Sequence, residues 1–159
     1  MTTETLSQDQ VVATLRDARF VMLTTAASDG SLLAHPMVPQ RVTDDADVYF
    51  FLGLEGGQVE ALRGDRQVNI AVSEAGSWLS VAGRVQFVED RELLRELWND
   101  EASAYADGPE DPSLGLILVT TESAQFWGMP GGKASALARI VKAKVTGDRP
   151  AGGSATTEL

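Results

Sequence analysis

Apolar positions in this chain change period several times, and each change marks a new element. Val11, Val12 and Leu15 recur at helical spacing behind Ser7, a residue suited to cap a helix, so a first helix is expected over residues 7–18. The β-rich run RFVMLTT (residues 19–25) follows, and the Asp-Gly pair in ASDGS marks a hairpin turn into a returning strand over residues 32–38. Pro36 removes one ladder donor there, which points to an edge strand, a bulge or a change of partner. Thr43, Asp44 and Asp45 form a turn. The continuous apolar run VYFFL (residues 48–52) predicts a strand covered on both faces.

Gly56 and Gly57 introduce a short helix from Gln58 to Arg63, ending at Gly64. Strands are expected over residues 68–72 and 78–88, joined by a turn at Glu74, Ala75 and Gly76, with Gly83 marking a bulge or bend in the second. Asp90 caps a helix running to about Trp98, with Leu93, Leu94 and Leu97 as its buried stripe. The segment YADGPEDPS (residues 105–113) is a loop, and a last strand over residues 114–121 is extended through Phe126 and Trp127. Beyond Gly147 no apolar period remains, so residues 1–146 are expected as one domain and 147–159 as a disordered tail. About six strands in consecutive hairpins, plugged by three helices, predict a mainly β fold, a closed or split antiparallel barrel.

Charge and composition narrow the function. A formal net charge of −10 opposes nucleic acid and anionic membranes, and any phosphate ligand must be held by local donors. The absence of cysteine excludes thiolate metal sites and thiol nucleophiles, and a single histidine excludes a His-rich metal site. The acids Asp107, Glu110 and Asp111 lack the ligand spacing of a calcium loop. GMPGGKAS (residues 128–135) lacks the spacing and the Ser or Thr of a phosphate loop, and no nucleophile elbow is present. MTTETLSQDQ at the start shows no basic-then-apolar leader pattern, so a cytoplasmic location is expected. Trp98 and Trp127 are candidates for either the core or a subunit interface.

With this layout established, the chain resembles the pyridoxamine 5'-phosphate oxidase-like split-barrel flavoproteins, in their general stress protein branch. The resemblance is carried in order by RFVMLTT, DGSLLAHPM, VYFFLG, GGQVEALRGDRQVNIAV, WLSVAGRVQFVEDRELLRELW, YADGPEDPSLGLILV and AQFWG. It implies a homodimer of six-stranded split barrels holding flavin mononucleotide (FMN) at the subunit interface, and flavin-dependent redox chemistry with no catalytic side chain identified. It further implies cofactor contacts from His35, Pro36, Met37 and Val38 on one strand, from Phe51 and Leu52 on the next, and from Gly56, Gly57 and Gln58 beyond it. At the positions where the family grips the phosphate with Arg, Thr, Ser and Lys, this chain has His35, Leu52, Gly56 and Gln58. A charge-assisted hydrogen bond is worth about 1.5–3 kcal/mol against about 1 for a neutral one, so these departures weaken the anchor. Backbone N–H groups of Gly56, Gly57 and Gln58 at a helix start recover part of it.

An alternative follows from the same four positions. In it the protein is a degenerate split-barrel dimer that no longer binds FMN tightly. It then serves as a binding module for another flavin, a deazaflavin or a tetrapyrrole-type ligand. Oxidation of pyridoxamine phosphate itself is less well supported, because no second phosphate-binding set is evident.

Overall fold

The computed structural model describes residues 6–74, 77–128 and 153–159. Helix α1 (Gln8–Asp17) begins at Ser7, whose hydroxyl accepts the Gln10 N–H while the Gln10 side chain accepts the Ser7 N–H. This reciprocal cap fixes the start of a short helix for about 1 kcal/mol. Val11 and Leu15 are fully buried, and Arg16 donates to the Val42 carbonyl, so α1 is seated as a plug.

The strands are β1 (Val21–Ala26), β2 (Leu32–Met37), β3 (Arg41–Val42) and β4 (Val48–Gly53), followed by helix α2 (Gly57–Gly64). Then come β5 (Gln67–Glu74), β6 (Ser77–Val88), helix α3 (Arg91–Leu97), β7 (Leu114–Gly128) and β8 (Gly153–Glu158). They form one sheet in the order β2-β1-β5-β6-β7-β4-β3, with β8 paired to the second half of β7. Every pairing is antiparallel. The six long strands expected from the sequence are all present, and the fold is the mainly β split-barrel type with peripheral helices. The sheet is not strictly closed, since β2 and β3 are the ends of its order.

Pro36 sits on the edge strand β2, where a missing N–H costs no ladder bond if it faces outward. Gly83 marks the register shift between β6 and β7, as its sequence position implied. A Cβ at Gly83 would stand 2.6 Å from the Thr120 carbonyl oxygen and 2.9 Å from a Val119 methyl, so the crossing strands close only around glycine.

Alternation sorts the strands into two faces. Leu23, Ile70, Val81 and Val119 turn inward with Val48, Phe50 and Leu52 to form the main core, all at most 5% exposed. The other face of β4 presents Tyr49 and Phe51 to a second cluster built on Leu94, Leu97, Leu114 and Leu116. The double cover expected for VYFFL is thus supplied by core on one side and α3 on the other.

Three differences from the sequence pattern stand out. The two-residue strand β3 and the 3-10 turn Ala102–Ala104 are too short to leave a period. The tail expected to be disordered from Gly147 is corrected at its end, where Gly153–Glu158 adds a strand to β7. Thr and Ala there need no apolar pattern, because the pairing draws on backbone donors and acceptors. The expected turn at Ala75 and Gly76, the GMPGGKAS segment after Gly128 and residues 147–152 lie outside the described residues. Among the described residues no helix is long and apolar enough to cross a membrane.

Candidate functional site

A cleft of about 340 Å³ opens where β2 ends, β4 ends and α2 begins. Its size falls in the range of small-molecule sites. Pro36, Met37 and Val38 form one wall, and Phe51, Leu52 and Gly53 form the facing wall. Gln58 in the first turn of α2 closes one end, and Ala102, Tyr105 and Ala106 approach from the segment after α3. Phe20, Gln40, Ser113 and Leu114 complete the lining together with Glu101.

Local chemistry explains why these pieces converge. Gly56 adopts φ +104, a conformation that L side chains rarely take, and so turns the chain directly into α2. The N–H of Leu54 donates to the Ser113 carbonyl at 2.8 Å, tying the end of β4 to the start of β7. Asn99 donates to the Gln40 side-chain oxygen at 2.7 Å, bracing the segment that carries Tyr105 against the β2 side. The loop over residues 105–113 is held by Asp111, whose carboxylate accepts from the Ser113 N–H, the Ser113 hydroxyl and the Asp107 N–H. Those hydrogen bonds, the Ser113 hydroxyl first, lower the Asp111 pKa from its ordinary value. Glu110 pairs with Arg95 on α3, which lowers the Glu110 pKa and raises that of Arg95. The acids of this loop therefore serve to shape one wall of the cleft.

The cleft is apolar and weakly charged. Phe51 packs its ring 6.2 Å from that of Trp98, and the Gln58 amide donates to the Met37 sulfur at 3.6 Å. Among the described residues, the one charged residue in the lining is Glu101, which lies 3.7 Å from the exposed Arg19. Phe20 and Tyr105 stand at the mouth, 55% and 83% exposed.

Of the residues expected at a site, Pro36, Met37, Val38, Phe51, Leu52 and Gln58 are brought together here. His35, Gly56 and Gly57 are not in the lining. His35 lies one pleat along from Met37 on the inward side of β2, opposite Leu23, and its Nδ1 is buried without a hydrogen-bond partner. Leu52 is 5% exposed and belongs as much to the core as to the cleft. Phe20, Gln40, Glu101 and Tyr105 were not legible as site residues. The one available signal was a tyrosine inside an otherwise polar, proline-rich loop.

The outer face of the sheet is the second unusual surface. Cross-strand register aligns Ala34 and Pro36 with Thr24 and Met22, then Asn69 and Ala71 with Ala82 and Ser80. Trp78 pairs with Trp127 at the far end, and the two are 44% and 41% exposed. None of these residues is charged. Pro36 belongs to both this face and the cleft wall.

A model of the family described as pyridoxamine 5'-phosphate oxidase like matches residues 7–151 of this sequence. The chain belongs to that family. Among its relatives, Protein bli-3 of Neurospora crassa is 31% identical over 121 residues, covering 68% of this chain. The chain spans 58% of the length of that curated relative. A solved structure of a candidate general stress protein 26 from Jannaschia sp. CCS1 is 27% identical, with a TM-score of 0.72, and the match covers 94% of this chain and 96% of that one. The general stress FMN/FAD binding protein of Xanthomonas citri is 28% identical, with a TM-score of 0.65, over 76% of this chain and 87% of that one. The oxidase-like fold and the general stress protein resemblance therefore hold along the described chain.

The residues present fit one part of a flavin better than the other. A planar ring finds apolar walls in Met37, Phe51 and Leu52 and donors or acceptors in Gln40, Gln58 and Ser113. Among the described residues, the lining offers the phosphate of FMN no Lys or Arg.

Proposed function

We propose that this protein binds a flavin in the cleft between β2 and β4, as a dimer whose two copies meet through the uncharged strip on the outer face of the sheet. The observation that carries the reading is the apolar cleft itself, framed by the strand ends that the family resemblance assigns to the ring. In such a site the ring supplies the redox chemistry when bound. The protein's residues hold it, exclude water from one side and set the polarity around its edge. Phe51 and Met37 flank the space, Gln58 and Gln40 offer hydrogen bonds at its rim, and Tyr105 and Phe20 stand where a lid or a partner would cover it. An oxidoreductase role follows from this reading, with its substrate open.

The dimer is supported by chemistry of the surface. Met22, Trp78 and Trp127 are large apolar side chains left in water by a single chain, and the strip between them is small and neutral. Aromatic residues and Met are enriched where proteins associate, while charged residues are depleted there. Because Pro36 joins this face to the cleft, a second copy seated on it stands beside the cleft mouth.

A second reading is favoured by the lack of a Lys or Arg among the described lining residues: a dimeric module for a different ring-shaped ligand, a deazaflavin or tetrapyrrole among them. One experiment separates the two. The purified protein is titrated with FMN while flavin fluorescence and sedimentation are followed. Saturable quenching in a dimeric species supports the flavin reading. Absence of quenching by any flavin removes that reading and leaves the second.

A further inference from the structure

We infer that the cleft recognises the ring of a flavin and is indifferent to its phosphate, so that riboflavin binds as tightly as FMN. The inference rests on the flavin reading above and specifies the form of ligand that the site accepts. A phosphate monoester carries about −1.5 to −2 charges at neutral pH and is normally held by guanidinium or ammonium donors.

Every arginine among the described residues already has a partner. Arg16, Arg41 and Arg84 pair with Asp44, Glu96 and Glu122, and Arg95 pairs with Glu110. Arg91 donates to the Asp111 carbonyl, and Arg63 and Arg66 lie over the Phe87 ring, 5.9 and 5.4 Å from its centre. Arg19, next in sequence to the lining residue Phe20, faces Glu101. None of these arginines lines the cleft.

What stands there instead gives a dianion no net attraction. Glu101 contributes a carboxylate, and the net charge of −10 adds a repelling field at low salt. Gln58, in the first turn of α2, offers a neutral amide already turned toward the Met37 sulfur. A neutral amide of that kind can solvate a phosphate tail but carries no full charge to prefer it. The walls made by Met37, Phe51 and Leu52 act on the ring alike in both ligands. Gln58 is thus the residue that sets the ligand form, by withholding the charge a lysine would bring.

The test titrates the full chain, freed of any bound ligand, with riboflavin and with FMN, following fluorescence at low and raised salt. The expected result is dissociation constants that agree within roughly fivefold, with FMN binding no weaker at raised salt. A preference of more than about fivefold for either ligand overturns the inference and leaves the flavin reading intact. Failure of both ligands to bind overturns the flavin reading and the inference with it. A Gln58→Lys variant places the discriminating position. FMN should gain about tenfold while riboflavin stays unchanged, and no gain for FMN overturns the role given to Gln58.

Discussion

The interior of the sheet and the cleft at its end are both apolar, yet they are finished to different degrees. Inside, Leu23, Phe50, Ile70 and Val81 are fully covered by this one chain, with no exposed surface left. At the cleft, Phe51 is half-buried, while Phe20 and Tyr105 are open to water. The same pattern, apolar side chains alternating along strands, produces both regions. The difference is whether this chain supplies the opposing layer. Where it does, the residue stabilises the fold. Where it does not, the residue is available to a ligand or to a second copy.

Two neighbours on β4 give the sharpest contrast. Phe50→Ala should cost about 3–5 kcal/mol in urea unfolding, since it empties a fully buried site. Phe51→Ala should cost under about 2 kcal/mol because less apolar area is lost, while weakening flavin binding more than Phe50 variants that still fold. Equal stability losses at the two positions would erase the distinction between interior and cleft.

On the outer face, Ala71→Arg places a charge at the centre of a neutral strip. In a dimer joined there, it meets an unpaired, desolvated environment twice over, a penalty of roughly 3 kcal/mol or more. Sedimentation should show monomers, with the urea midpoint measured at low protein concentration little changed. A dimer of unaltered strength would place the interface elsewhere.

Backbone effects at the cleft are smaller. Gly56→Ala forces a side chain into φ +104 although nothing lies within 4 Å of the new methyl group, so the cost is conformational, about 1–3 kcal/mol. Gly57→Ala, with equally open space and no positive φ, should be neutral or slightly stabilising. Unfolding of this pair in parallel separates strain from packing.

The smallest effect concerns acid. The Asp111 carboxyl is held below its ordinary 3.8 by hydrogen bonds to Ser113 and Asp107, so its contribution to the loop is present above the unfolded value. It is lost as pH falls through the lower folded value. Amide exchange over residues 105–113 should therefore rise at acid pH beyond its intrinsic dependence. Asp111→Asn should flatten that response while the β6–β7 amides stay protected.

Much of this was open to reading from the residues. The Ser7 cap, the Asp-Gly hairpin, Pro36 as an edge marker and Gly83 as a register marker each act through their immediate neighbours, and each is found where its chemistry demands. The strand β8 was missed because its partner lies far earlier in the chain, Ser123 pairing with Glu158 and Gly128 with Gly153, and nothing in its own composition announces it. The site was half legible. Met37 and Phe51 came from strands with strong patterns, whereas Glu101 and Tyr105 arrive on a loop whose direction depends on Asn99 meeting Gln40 and on Arg95 meeting Glu110.

Local order along the chain, then, was determined by sequence alone: which segments extend, which coil, where they stop, and which side chains alternate toward a common face. Those choices depend on backbone sterics and on a period that a few consecutive residues reveal. Only the tertiary structure decided which apolar residues remain uncovered and that every described arginine has a partner while none lines the cleft. Both are properties of neighbours far apart in the chain, and no local pattern records them.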